Sequence, residues 1–222
     1  MSHGEPEAVL YGYWRSSATW RVRIGLALKG VAYQVSPVHL IADGGQQHSA
    51  TYRAMNPMRE VPTLHIDGLV LTQSLAILEY LEETRPHPPL LPSTPALRAT
   101  CRQLAEIVNS GMQPVQNLRV LQALEADFGA NPAQRKAWAQ RWIAHGLDAL
   151  ESAAQHSAGL YLVGESVTLA DLCLVPQLYN ARRFDVGLDA YPLLRRVDAA
   201  LAALPAFQVA HPDAQPDAQP SA

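Results

Sequence analysis

Tyr13-Trp14-Arg15-Ser16-Ser17-Ala18-Thr19-Trp20-Arg21-Val22-Arg23-Ile24 is the stretch on which the fold turns. Ahead of it, residues 8–13 form a short apolar and aromatic run that reads as a strand. Beyond Ser16 the period changes. Trp20, Ile24, Ala27 and Leu28 fall on one side of a helix expected over 17–29, Arg21 and Arg23 lie mostly off that side, and Gly30 follows as a C-terminal stop. A strand leading straight into a helix sets the helix N-terminus, with its unpaired amide N–H groups and partial positive charge, at the strand's exit. Such a terminus stabilises a thiolate, carboxylate or phosphate. The hydroxyls of Ser16 and Ser17 can cap the helix, as serines before helices commonly do, or donate to an anion. Arg15 and Arg21 flank them with guanidinium forks sized for a carboxylate.

Outward from this junction, residues 32–40 alternate as a second strand, and 61–71 reads as a hairpin about Asp67-Gly68. Val61-Pro62 enters that hairpin. A trans proline there is an ordinary first strand residue, whereas a cis bond turns the residue-61 backbone outward to pair with an extended peptide ligand. Gln73-Ser74 opens another helix, over 75–83, and is either a second anion site or a plain cap. Strand, helix, strand, short helix, hairpin and helix make an α/β layer with a mixed sheet, expected over 7–86. Pro86, Pro88, Pro89, Pro92 and Pro95 then mark a linker over 87–95. An all-helical domain is expected over 96–210, with helices at 95–127, 132–157, 169–183 and 191–203. Thr168-Leu169-Ala170-Asp171 has the form of a capping box at the third of these. Pro-Asp-Ala-Gln occurs twice from Pro212 onward, and 211–222 reads as a mobile tail.

Composition removes several classes of function. In 222 residues, 48% apolar and 17% charged content supports folded cores rather than a disordered chain. Seventeen basic against 20 acidic side chains give a net charge of -3, without the cationic surplus that nucleic-acid binding exploits. No apolar run reaches the ~18 to 20 residues of a membrane span. Two cysteines and an N-terminus without a basic-then-apolar leader point to a reduced, cytoplasmic setting. No glycine-rich phosphate loop occurs, and the eight histidines form no metal-binding pattern, so no metal is expected. Cys101 and Cys173 sit in apolar helical sequence and read as buried thiols rather than nucleophiles.

Taken together, Tyr13-Trp14-Arg15-Ser16-Ser17, Trp20-Arg21-Val22-Arg23-Ile24, Asp43-Gly44-Gly45-Gln46-Gln47, the 75–83 helix, Gln113-Pro114-Val115-Gln116-Asn117-Leu118, Asp171-Leu172-Cys173-Leu174-Val175-Pro176-Gln177 and Ala206-Phe207-Gln208 resemble the zeta class of cytosolic glutathione transferases, the maleylacetoacetate isomerases. The resemblance runs through nearly the whole chain. It implies a thioredoxin-like glutathione-binding domain followed by an all-α substrate domain, a homodimer and a cis Pro62, while the charge balance and hydropathy above leave no nucleic-acid or membrane partner expected. Carried over by position, glutathione would be held by Ser16, Ser17, Gln47, Val61 through its backbone, Pro62, Gln73, Ser74, Gln113 and Asn117. Ser16, then Ser17, would stabilise its thiolate, with Arg15 and Arg183 also catalytic. Arg15, Arg119 and Arg183 would bind the substrate's carboxylates.

The implied reaction adds the thiolate to the cis double bond of maleylacetoacetate, lets the resulting single bond rotate, and eliminates the thiolate to leave trans fumarylacetoacetate, with glutathione returned. Typical members follow the two serines with cysteine. Ala18 stands here, so no protein thiol can act at that point. Maleylpyruvate isomerisation, and transfer to haloacids or other electrophiles, are the alternatives within the same fold. A non-catalytic binding module is disfavoured by the joint presence of Ser16, Ser17, Val61, Pro62, Gln73 and Ser74.

Overall fold

The structure, a computed structural model, describes residues 8–219. It divides into two compact units, one of Met1–Pro89 with Ala203–Ala222 and one of Leu90–Ala202. The first begins with β1 (Ala8–Gly12), α1 (Ser17–Leu28), β2 (Tyr33–Pro37), α2 (Ala50–Met55), β3 (Thr63–Ile66), β4 (Leu69–Thr72) and α3 (Ser74–Thr84). Its four strands lie in the order β2-β1-β3-β4. The β1–β2 pair is parallel, as a helical crossover requires, and the other pairs are antiparallel. This is the mixed sheet that the sequence pattern implies. Leu10 faces Leu64 across the β1–β3 pair and Ala8 faces Ile66, so one sheet face is aliphatic and buried. Val22, Ile24 and Leu26 of α1 and Ile77, Leu78 and Leu81 of α3 are buried as well, and the two helices pack on each other. Asp67 and Gly68 both take left-handed φ values, 53° and 76°, as a two-residue type I′ hairpin turn requires. The Asp67 carboxylate is gripped by the Arg85 fork and the Tyr80 hydroxyl, which hold its pKa below the ordinary value.

The second unit contains α4 (Pro95–Glu106), α5 (Leu118–Phe128), α6 (Pro132–Ala154), α7 (Leu169–Arg183) and α8 (Pro192–Ala202). The continuous helix expected over 95–127 is broken. After α4 the backbone widens into π-helical turns over Ile107–Met112, tightens into a 3-10 turn over Pro114–Gln116, and restarts at α5. Pro114 has no N–H to continue the ladder, and the Asn117 side chain accepts the Leu118 N–H at 2.7 Å to begin the new helix. The capping box at α7 forms as its sequence suggests. Asp171 accepts from the Thr168 amide and hydroxyl with one oxygen and from the Leu162 amide with the other. Within the proline-rich segment, Leu90 and Leu91 are buried, and the Leu90 carbonyl takes the Leu169 N–H at 2.9 Å. Leu104, Val108, Ile143, Leu147, Leu172 and Leu178 anchor this unit's core.

The chain then returns to the first unit. α9 (Pro205–Val209) packs on α1, and of the tail expected to be mobile over 211–222, residues 211–219 are described and make specific bonds. The Gln215 side chain donates to the Val209 and His211 carbonyls, and the His211 ring meets Trp20 edge-on at 5.1 Å. Few apolar residues mark this packing in the sequence: Phe207 and Ala210 are buried, and Arg23 of α1 donates to the Ala210 carbonyl at 3.0 Å. Among the described residues, no helix is long and apolar enough to cross a membrane, and no group of three or more His, Cys, Asp or Glu could hold a metal ion.

Candidate functional site

The first helix start in the first unit is built tightly. Ser16 donates its amide to the Tyr13 carbonyl at 2.9 Å, closing a turn at the end of β1. A Cβ on Gly12 would lie 2.3 Å from the Thr19 methyl, so β1 can run this close to the first turn of α1 only with glycine there. Ser16 is extended, and its Oγ accepts the Thr19 N–H at 3.2 Å as the N-cap. A hydroxyl that accepts one hydrogen bond still carries a proton to donate. Ser16 is half-buried, whereas Ser17 is only 7% exposed, so the accessible hydroxyl of the pair belongs to Ser16. The Arg15 guanidinium lies over the Trp14 ring, 5.2 Å from its centre.

The second helix start is joined to the first. Gln73 precedes α3 with φ 69°, a left-handed conformation that costs a non-glycine residue energy and is kept where function demands it. Ser74 is buried, and its Oγ accepts from Arg21 Nη1 at 3.3 Å. Arg21 is itself fully buried, which corrects its placement off the apolar side of the helix; Arg23, at 2% exposure, does the same.

Val61-Pro62 is cis, as the resemblance implied. The turn before it is pinned by the Glu60 carbonyl, which accepts from both the Tyr52 hydroxyl and the Asn56 amide at 2.7 Å. Burial raises the Tyr52 pKa, keeping that hydroxyl a donor. Gln47 is 6% exposed and donates to the Leu40 carbonyl at 3.2 Å, and its buried Oε1 has no hydrogen-bond partner among the described residues. Sequence reasoning missed the supports: Arg21 beneath Ser74, and Tyr52 with Asn56 beneath Glu60. Their partners are distant in sequence or are backbone atoms. The available signal was the repeated arginine spacing in Trp20-Arg21-Val22-Arg23, unusual in a helix that is otherwise apolar.

Two helix N-termini, an extended backbone segment and an orphaned amide oxygen thus occur in one small unit. They suit a ligand with an extended peptide-like backbone and anionic groups. A glutathione S-transferase N-terminal domain model matches residues 15–84, and a glutathione S-transferase C-terminal domain model matches 119–212. Maleylacetoacetate isomerase of Rattus norvegicus is 52% identical over 212 residues, covering 96% of this chain and 94% of that protein. A holo maleylpyruvate isomerase, described as a bacterial glutathione S-transferase in the zeta class, superposes with TM-score 0.91 at 45% identity, covering 95% of this chain and all of that one. The chain belongs to the zeta class of the glutathione S-transferases. The maleylacetoacetate isomerase of Anaeromyxobacter dehalogenans 2CP-1, solved with bound GSH in the active site, is 54% identical, with TM-score 0.86 and coverage of 96% and 98%.

In this zeta-class transferase the remaining candidates lie in the helical unit. Gln113 and Asn117 bracket the 3-10 turn that replaces the expected helix, and the Trp138 indole N–H fixes that turn by donating to the Val115 carbonyl at 2.7 Å. Arg119 is exposed in the first turn of α5. Arg183 is exposed at the end of α7, where its Nη1 donates to Asn180 Oδ1 at 3.0 Å and its guanidinium lies over the Phe184 ring. Its neighbour Arg182 is instead committed to Asp198, at 2.5 Å. The two adjacent arginines therefore have different partners.

Proposed function

We propose that this chain is a glutathione-dependent cis-trans isomerase that converts maleylacetoacetate to fumarylacetoacetate, working as a cytoplasmic homodimer. The observation that carries the reading is the half-buried Ser16 hydroxyl at the N-terminus of α1, in the same unit as a buried Ser74 at the N-terminus of α3. When bound, glutathione supplies the sulfur that adds to and leaves the double bond. The chain's residues fit that ligand. Ser74, the strained Gln73 and the α3 terminus suit its γ-glutamyl carboxylate, the Val61 backbone its extended peptide, and the orphaned Gln47 oxygen one of its N–H groups. Ser16 donates its proton toward the sulfur while the α1 terminus adds partial positive charge, and together these favour the ionised thiol. Ser17 supports that terminus from a more buried position. Gln113 and Asn117 of the helical unit are assigned to the same ligand by the family resemblance.

The carboxylates of the cis-enoyl acid and the negative charge developing in the transition state call for cations, which Arg15, Arg119 and Arg183 supply. With Ala18 after the serine pair, the protein offers no nucleophile of its own there, and the chemistry needs none.

The test offers maleylacetoacetate and maleylpyruvate separately to purified protein, with and without catalytic amounts of glutathione, and follows both isomerisation and total thiol. Turnover of maleylacetoacetate that requires glutathione without consuming it is the expected result. Preferential turnover of maleylpyruvate would reassign the substrate, and stoichiometric loss of thiol would replace isomerisation by conjugation.

A further inference from the structure

Trp14, two residues before Ser16, is held through both of its backbone polar groups, and both holds lead to the C-terminal tail. Its N–H donates to Asp217 Oδ2 at 3.1 Å, across 203 residues of sequence. Its carbonyl accepts from Arg23 Nη2 at 2.9 Å, and Arg23 Nε donates in turn to the Ala210 carbonyl at 3.0 Å. Arg23 is nearly fully buried, and the Asp217 charge acts on it electrostatically. The tail thus reaches the peptide groups on either side of Trp14, and Ser16 follows in the turn closed on Tyr13. Residues of the second Pro-Asp-Ala-Gln copy do what those of the first do not: Asp213, in the first copy, is exposed and lies beside His211.

We propose that Asp217 is a positioning residue for Ser16, acting through the Trp14 amide to fix the angle at which the Ser16 hydroxyl meets the glutathione sulfur. The inference rests on the proposed role of Ser16. A hydroxyl contributes to thiolate stabilisation only while its donor direction is maintained, and the loop that sets this direction has a carboxylate from the far end of the chain as one of its anchors.

The experiment compares wild type, Asp217→Ala, Asp217→Asn and the control Asp213→Ala in the full chain. It reads the ultraviolet titration of bound glutathione and the steady-state constants. Asp217→Ala is expected to raise the bound thiol's pKa by about one unit and lower kcat about tenfold, while the KM for glutathione changes less. Asp217→Asn, which keeps an oxygen for the Trp14 N–H, should recover most of both, and Asp213→Ala should match wild type. A wild-type titration and kcat in Asp217→Ala, with or without loss of thermal stability, overturns the proposal and leaves the isomerase reading standing. Wild-type protein that neither ionises bound glutathione nor isomerises overturns that reading instead, and this inference with it. If Asp217→Ala does not fold, hydrogen exchange at the Trp14 amide of wild type decides. Slow exchange together with recovery in Asp217→Asn supports the anchor, and exchange as fast as that of an open loop overturns it.

Discussion

Ser16 has two uses for one hydroxyl, and substitutions can separate them. Its lone pair caps α1 by accepting the Thr19 N–H, and its proton is assigned to the glutathione sulfur. Ser16→Ala loses both, while Ser16→Gly loses only a few tenths of a kcal/mol of capping against ~1 kcal/mol for alanine. Both variants should lower kcat/KM by about 10²- to 10³-fold, the usual cost of removing one preorganised donor, with the larger fall in melting temperature confined to alanine. Retained turnover in Ser16→Gly would make Ser16 a cap alone. Ala18 supports a second prediction. Cys101 and Cys173 are fully buried, and burial pushes the Cys101 thiol up, so protein treated with iodoacetamide and freed of the reagent before glutathione is added should keep its turnover. Ala18→Cys would place a thiol in the first helical turn, where its pKa falls, and should be alkylated with loss of activity, both followed by mass spectrometry and residual rate. The serines were legible in the sequence because a hydroxyl at a helix start is a local signal. Arg21 and Arg23 were not, since the partners that make them buried residues, Ser74 and Ala210, lie 53 and 187 residues away.

Elements whose ends are set by local chemistry were read well, and those set by packing were not. The helix over 169–183 was legible at its start because Thr168 and Asp171 form a capping box by their spacing. What the spacing could not show is that the other Asp171 oxygen holds the Leu162 amide, making the aspartate a fully buried anchor. The break between α4 and α5 went unread because residues 107–112 keep an apolar helical pattern while the backbone takes π-helical turns.

The Asp171 anchor has a pH signature. Burial raises its pKa from 3.8 to about 6, against the pull of the amides that donate to it. The folded state therefore holds the proton more tightly than the unfolded chain does. Its contribution to stability is fully present below 3.8 and is lost as the pH rises through about 6. Denaturant titrations of wild type and Asp171→Asn should show the wild type's relative stability falling by about 2 kcal/mol between pH 4 and pH 7. A difference constant with pH would mean that the hydrogen bonds to the carboxylate fully offset its burial.

At the scale of the whole chain, the order of elements was legible because prolines, an Asp-Gly turn and two changes of hydrophobic period punctuate it. The return of the C-terminal segment to α1 was hidden in a composition that resembles an unstructured tail. That return places residues from both ends of the sequence in one unit, so the unit assigned to glutathione includes the chain's last described residues. Ligand-linked stability tests this assignment. At about 100 times its Kd, glutathione should add ~2.7 kcal/mol, which for a chain of this length raises the melting temperature by about 5–11 °C. S-methylglutathione, which cannot ionise at sulfur, should keep most of that shift, because the γ-glutamyl and backbone contacts remain. Cysteinylglycine, which lacks the γ-glutamyl group, should lose most of it, and Ser74→Ala should reduce the glutathione shift toward the cysteinylglycine value. Differential scanning fluorimetry across this set reads the anchor without any turnover. Equal shifts from glutathione and cysteinylglycine would place the dominant anchor at the sulfur rather than at the start of α3, and the strained Gln73 would then need another explanation.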